Sequence, residues 1–226
     1  MTEKTIRLLT ADDIECRIGT VVKDKQDPNI IKGVTLLLYK NARVDMAILD
    51  EVYTPMGWQR KHEFKDGKLY CTVSVWDEDK DEWIEKEDVG TESNTEAEKG
   101  QASDSFKRAC VNWGIGRELY TAPFIYIKPF EGENIKYTKF EVKDIGYSSN
   151  VIAKLLIFDD RGNCRFNWVD TDAMMGEIKQ QVFDFLMGND KARDYYCNKF
   201  GVGEIQMLAD NDITTIYNEL KSKNKI

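Results

Sequence analysis

Trp58-Gln-Arg-Lys-His-Glu-Phe-Lys-Asp66-Gly67-Lys-Leu-Tyr-Cys-Thr-Val-Ser-Val-Trp76-Asp-Glu-Asp-Lys-Asp81-Glu-Trp-Ile-Glu-Lys-Glu-Asp-Val89 reads as three strands joined by two tight turns, and it decides the fold. Asp66-Gly67 lies between two β-rich runs, and Asp-Gly suits a two-residue hairpin whose central residues both need positive φ. Residues 69–76 alternate at period two and are rich in Val and aromatic side chains. Asp77-Glu-Asp-Lys-Asp81 is a second, charged turn, so strands are expected at 58–64, 69–76 and 82–89. Ser93-x-x-Glu96 then has the form of a capping box and opens a helix. Gly100 weakens that helix by about 1 kcal/mol relative to Ala, and Gly114 or Gly116 ends it. The reading is a β-β-β-α core.

Late in the helix stands Asp104-Ser-Phe-Lys-Arg-Ala-Cys-Val-Asn-Trp-Gly-Ile-Gly-Arg117. At about 100° per residue, Ala102, Phe106, Ala109, Cys110 and Trp113 fall on one side. Lys107 and Arg108 fall roughly 110° and 150° from the centre of that side. One face is thus anchored in a core while two adjacent cations ride on a rigid element. Such a pair can hold a phosphate backbone with little ordering entropy. A solvated helix face gives the same pattern, so these residues alone leave both readings open.

Charge is unevenly spread. The 226-residue chain carries a formal net charge of −8, yet residues 77–98 alone hold a net −9, which leaves +1 for the rest. The acidic balance therefore reports one segment and does not exclude a basic groove elsewhere. With 42% hydrophobic content and four prolines, the chain can bury a good core and is not a disordered polymer. No window approaches the length of a membrane span, and Met1-Thr-Glu-Lys-Thr-Ile-Arg lacks the apolar core of a signal peptide. Five dispersed cysteines without a C-x-x-C are expected to be reduced, in a cytoplasmic setting.

Around the core, Thr10 is expected to cap a short helix over residues 8–18. Residues 33–39 read as a buried strand, and Asn41 caps a helix over 42–53 that must stop near Pro55. Further strands are expected at 120–128, 139–145, 151–158 and 164–168, the last two joined by Asp160-Arg-Gly-Asn163. From Asp172 onward the pattern is helical: 173–187, 190–199 and 203–222. The fold class is α+β: an antiparallel β-β-β-α core with an additional β-hairpin over residues 1–170, then a small helical unit over 171–226.

Enzymatic constellations are thin. His62 is the only histidine, which removes multi-histidine metal sites, and it reads as a surface residue. Asp77, Glu78, Asp79 and Asp81 lack EF-hand spacing. No G-x-x-x-x-G-K-[ST] is present, which excludes a P-loop motor. A nucleic-acid reading draws on Arg43 at a helix start, on Arg60, Lys61 and Lys68 along the hairpin, and on Trp58, Tyr70, Trp76 and Trp83. At least two of those four aromatics are expected to be buried. Three readings stand: a non-enzymatic nucleic-acid-binding protein, a metal-dependent nucleic-acid enzyme using the 77–92 carboxylates, and an interaction module with no DNA role.

Leu36-Leu-Leu-Tyr-Lys40-Asn-Ala-Arg43-Val-Asp-Met, then Leu49-Asp-Glu-Val-Tyr-x-x-x-Gly57-Trp58, resembles the opening of a phage Sak-type annealing protein of the Rad52/Rad22 superfamily. Asp88-Val-Gly-Thr-Glu-Ser-Asn-Thr95 and Lys99-Gly-x-Ala-Ser-Asp-Ser-Phe-Lys-Arg108-Ala continue the resemblance, which covers roughly residues 8–168. It implies a core that assembles side by side into rings or helical filaments. Single-stranded DNA would lie in a positive outer groove with its bases free to pair. Lys107 and Arg108 would be the principal backbone contacts and Arg43 would reach the same strand, while local charge adds Lys40 and Arg117. No nucleotide cofactor, metal or catalytic residue is implied. The partners would be single-stranded DNA, further copies of the chain, and a phage exonuclease or host single-strand binding protein, with no membrane. The acidic segment 77–98 is expected to project away from the groove or line a subunit contact.

Overall fold

A computed structural model describes residues 5–91 and 97–226. It divides into two compact units, Met1–Asn167 and Trp168–Ile226. The first holds two sheets. Strands β1 (Glu15–Lys23), β2 (Ile31–Tyr39), β6 (Ile125–Ile127), β7 (Phe140–Ser148), β8 (Val151–Asp159) and β9 (Cys164–Val169) form one, in the order β6-β2-β1-β7-β8-β9. Strands β3 (Trp58–Lys65), β4 (Lys68–Asp77) and β5 (Glu82–Val89) form the other.

Local chemistry explains most of the second sheet. Asp66 and Gly67 take φ of 52° and 74° in the β3–β4 turn, as the Asp-Gly pair requires. Leu69, Cys71, Val73 and Val75 of β4 are buried on one face. Helix α2 (Ala97–Asn112) covers that face with Phe106, Ala109 and Cys110, all fully buried. Trp113 follows the helix and donates from its indole nitrogen to the Val73 carbonyl at 3.1 Å. Gly90, just past β5, lies so close to the helix that a Cβ there would sit 2.2 Å from the Gln101 carbonyl oxygen. The Ser93–Glu96 capping box lies outside the described residues.

Helix α1 (Ala42–Tyr53) begins where Asn41 accepts a hydrogen bond from the Arg43 amide at 2.9 Å. The expectation of a helix over 8–18 fails. Thr10 starts only a single 3-10 turn, Ala11–Asp13, after which the chain extends as β1. The run Cys16 to Val22 is β-branched-rich and pairs along its length with β2, and this long-range ladder overrides the local cap. The expected strand at 120–128 is also shorter, with a 3-10 turn at Arg117–Thr121 preceding β6. None of Trp58, Tyr70, Trp76 and Trp83 is buried: the last three lie on the sheet face turned away from α2, and Trp58, on the covered face, stacks on Phe106 from the edge strand β3.

The second unit is helical: α3 (Met175–Met187), α4 (Asp190–Phe200) and α5 (Asp210–Ser222). The helix expected from 203 starts only at 210, since Ile205–Met207 forms a separate 3-10 turn. Ile178, Val182, Leu186, Tyr196, Ile213, Ile216 and Leu220 are among its buried side chains. Gly201 closes α4 in the left-handed conformation, φ 68°.

Candidate nucleic-acid interface

Helix α2 is held by its apolar face, so the side chains leaving its other faces have fixed origins. Lys107 and Arg108 enter a groove of about 330 Å³ whose opposite wall is the β1–β2 hairpin, with Arg17, Leu37 and Tyr39. Tyr120, 72% exposed, forms part of its rim. Arg17, Lys107 and Arg108 thus converge beside two tyrosines, the combination that a single-stranded phosphate backbone with unstacked bases calls for. Both α2 cations are half-buried, against the fully projecting pair that the helical wheel suggests.

Carboxylates tune this charge. Arg108 donates from Nε to Asp88 at 3.2 Å, and among the described residues its Nη groups meet no further acceptor. Asp88 belongs to the acidic segment expected to project away from the groove or line a subunit contact; at this residue the segment faces α2, which packs on β5. Asp104 accepts from the Thr91 amide and hydroxyl, both at 3.0 Å. Hydrogen bonds from Asn41 and Tyr39 hold the Glu15 carboxyl below its usual range, with the Lys107 charge adding to the effect. In return the bond to Glu15 pushes the Tyr39 phenol up to about 12.

The other sequence-derived cations are placed differently. Lys40 also lines the Lys107–Arg108 groove, but at its floor: it is 5% exposed and ion-paired with the fully buried Asp45, so its charge is largely offset inside the protein. Burial pushes the Asp45 carboxyl up to about 6 despite Lys40. Arg117 folds back to donate to the carbonyls of Val111 and Asn112, capping the C-terminal end of α2. Arg43 is exposed but lies in an adjoining groove of about 360 Å³, with Arg60, His62, Ala102 and Ser103. The two grooves flank the β2–α1 corner and share α2 as a wall. His62 bonds through Nε2 to the Ala102 carbonyl at 3.1 Å, and the Arg60 guanidinium lies 4.5 Å from the Phe106 ring centroid. Arg17 escapes a reading of the sequence because it reaches the groove only through β1, a strand specified by distant pairing.

Among the described residues, no three His, Cys, Asp or Glu side chains gather where they could hold a metal ion. The Asp77 carboxylate is instead occupied by the amides of Asp79 and Lys80 within the β4–β5 turn. No helix among the described residues is long and apolar enough to cross a membrane.

A family model described as Rad52/22 family double-strand break repair protein matches residues 12–128, just over half of the chain. The chain belongs to the Rad52/22 family. No curated protein and no solved structure matches it. The match runs from the first 3-10 turn through β6 and takes in every residue of both grooves. Membership places this Rad52/22 protein in DNA recombination and repair, in a family that binds DNA and anneals single strands rather than catalysing a reaction.

Proposed function

We propose that this chain is a phage-type annealing protein that binds single-stranded DNA without ATP and pairs complementary strands. The observation that carries the reading is the placement of Lys107 and Arg108, on a helix anchored by Phe106, Ala109 and Cys110, in a groove with Arg17 opposite. Neutralising phosphates there removes repulsion between two strands and holds one extended, so complementary bases can zip. Arg43 and Arg60 extend the same path into the neighbouring groove. Lys40 and Arg117 serve the site indirectly, the first by fixing the β2–α1 corner and the second by capping α2.

In this reading residues 1–170 form the annealing core, and several copies assemble into a ring or helical filament. Residues 171–226 form an appended helical unit, and the protein works in the cytoplasm of a bacterial host beside a phage exonuclease or a host single-strand binding protein. The test is fluorescence polarisation with a labelled single-stranded oligonucleotide across a salt series, without nucleotide or metal. Binding should weaken with salt at a log–log slope of about −0.7 per phosphate neutralised. The double variant Lys107→Ala/Arg108→Ala should lose binding and annealing together; annealing by that variant at the wild-type rate rejects this site.

A further inference from the structure

The outward face of the β1–β2–β6 part of the large sheet carries an apolar surface that the core does not use. Val34, Leu36, Ile125 and Ile127 point inward and are buried. The alternate positions point out: Leu37, 47% exposed and opposite Arg17, and Tyr126, opposite Thr35. Phe124 stands two residues before Tyr126, 78% exposed. Its ring is parallel to that of Tyr126 within 5°, at 6.5 Å between centroids.

Glycines make this face flat. A Cβ on Gly33 would lie 2.5 Å from the Tyr126 ring, so the ring lies across the bare backbone. The Tyr126 hydroxyl pins it there by donating to the Lys32 carbonyl at 2.8 Å. A Cβ on Gly19 would lie 2.9 Å from Cγ of Leu37. Two side chains therefore rest on the sheet where glycine alone leaves room, and Phe124 extends the same surface outward.

This surface is continuous with the cationic groove, because Leu37 lines both and Tyr39 lies two residues along the same strand. Flat apolar rings next to converging cations match one chemistry: a strand whose phosphates are held and whose bases are unpaired. Duplex DNA hides its base faces and has nothing to place there. We propose that this face is a stacking platform for the bases of single-stranded nucleic acid whose phosphates lie in the Lys107–Arg108 groove. The proposal rests on the DNA-binding reading above and adds to it the feature that selects single strands.

The probe is an oligodeoxythymidine carrying 2-aminopurine, whose emission falls when it stacks on an aromatic ring. The full chain should quench it on binding. Phe124→Ala/Tyr126→Ala should bind about tenfold more weakly for each stacked base lost and quench less, with an unchanged salt slope. Phe124→Trp should restore quenching. Phe124→Ala alone disturbs no core and serves as the second variant if the double one melts early. Unchanged affinity and quenching in Phe124→Ala and in the folded double variant overturn the platform. So does a change in sedimentation without DNA combined with full quenching, which would make the face a contact between copies. No binding by the wild-type chain removes both readings, whereas binding that needs Lys107 and Arg108 but ignores Phe124 and Tyr126 removes only this one.

Discussion

Arg108 on α2 and Asp88 on β5 share a hydrogen bond of 3.2 Å through the arginine Nε, so the guanidinium is aimed while its Nη groups meet no other acceptor among the described residues. The pair links the two halves of the sequence signature, the Asp-Val-Gly strand end and the Lys-Arg-Ala helix. Asp88 also places a negative charge where a phosphate must approach. Asp88→Asn keeps an oxygen in reach of Nε and removes that charge. The variant should bind single-stranded DNA about three- to tenfold more tightly at low salt, and the gain should vanish near 1 M salt, where charges beyond about 3 Å are screened. Polarisation at both salt levels checks it.

The glycine of the Asp-Val-Gly strand end acts sterically. Gly90 meets the helix backbone so closely that a methyl group would stand 2.2 Å from the Gln101 carbonyl and 2.8 Å from the Ser105 nitrogen. Gly90→Ala must push β5 off α2 and should cost about 1–3 kcal/mol, with more on the scale of a badly overpacked core. A fall in the midpoint of chemical denaturation, with little change in its slope, is the expected result.

Lys40 and Asp45 form a pair that is buried on both sides, with side-chain exposures of 5% and 0%. Removing one partner strands the other, so Lys40→Met should destabilise the fold by about 3–5 kcal/mol. Lys40→Met/Asp45→Asn should recover most of that loss. DNA binding by the folded double variant should keep the wild-type salt slope, since Lys40 neutralises no phosphate. A slope reduced by one phosphate would return Lys40 to the direct contacts.

Arg165 is paired with Glu133 at 2.8 Å and with Asp159 at 2.9 Å, all three side chains being at most 3% exposed. The Arg165 hydrogen bonds hold the Glu133 carboxyl down to about 2. Burial raises Asp159, but hydrogen bonds from Asn163 and Arg165 outweigh it and bring it to about 2. Both carboxylates sit below their unfolded values, so the stabilisation is complete above about pH 4.5 and is lost as pH falls toward 2. Arg165→Met should cost about 3–5 kcal/mol near neutrality and flatten that acid-side loss. Thermal melts between pH 7 and pH 2 report both effects.

What could be read from the sequence was local. The Asn41 cap, the Asp66-Gly67 turn and the apolar face of α2 each depend on residues within one or two turns of chain, and each appears in the structure. β1 was hidden because Thr10 and Asp13 do form a cap, while the ladder that extends the following residues comes from β2. The site divides in the same way. Lys107 and Arg108 follow from helical periodicity. The burial of Lys40 follows from Asp45 and the wall of α2, and the approach of Arg17 follows from the sheet. A charge pattern names the cations and leaves open which are spent on the fold.

The large sheet is joined across its middle by a single residue pair, Glu15 with Glu141. The family match ends at residue 128, before β7 begins. The strands that carry the grooves and those that follow therefore meet at a seam in the hydrogen-bond ladder. β1 and β2 are locked to each other by a long ladder, as are β7 and β8, whereas one pair alone couples the two sides, so the register of one side sets little of the other's.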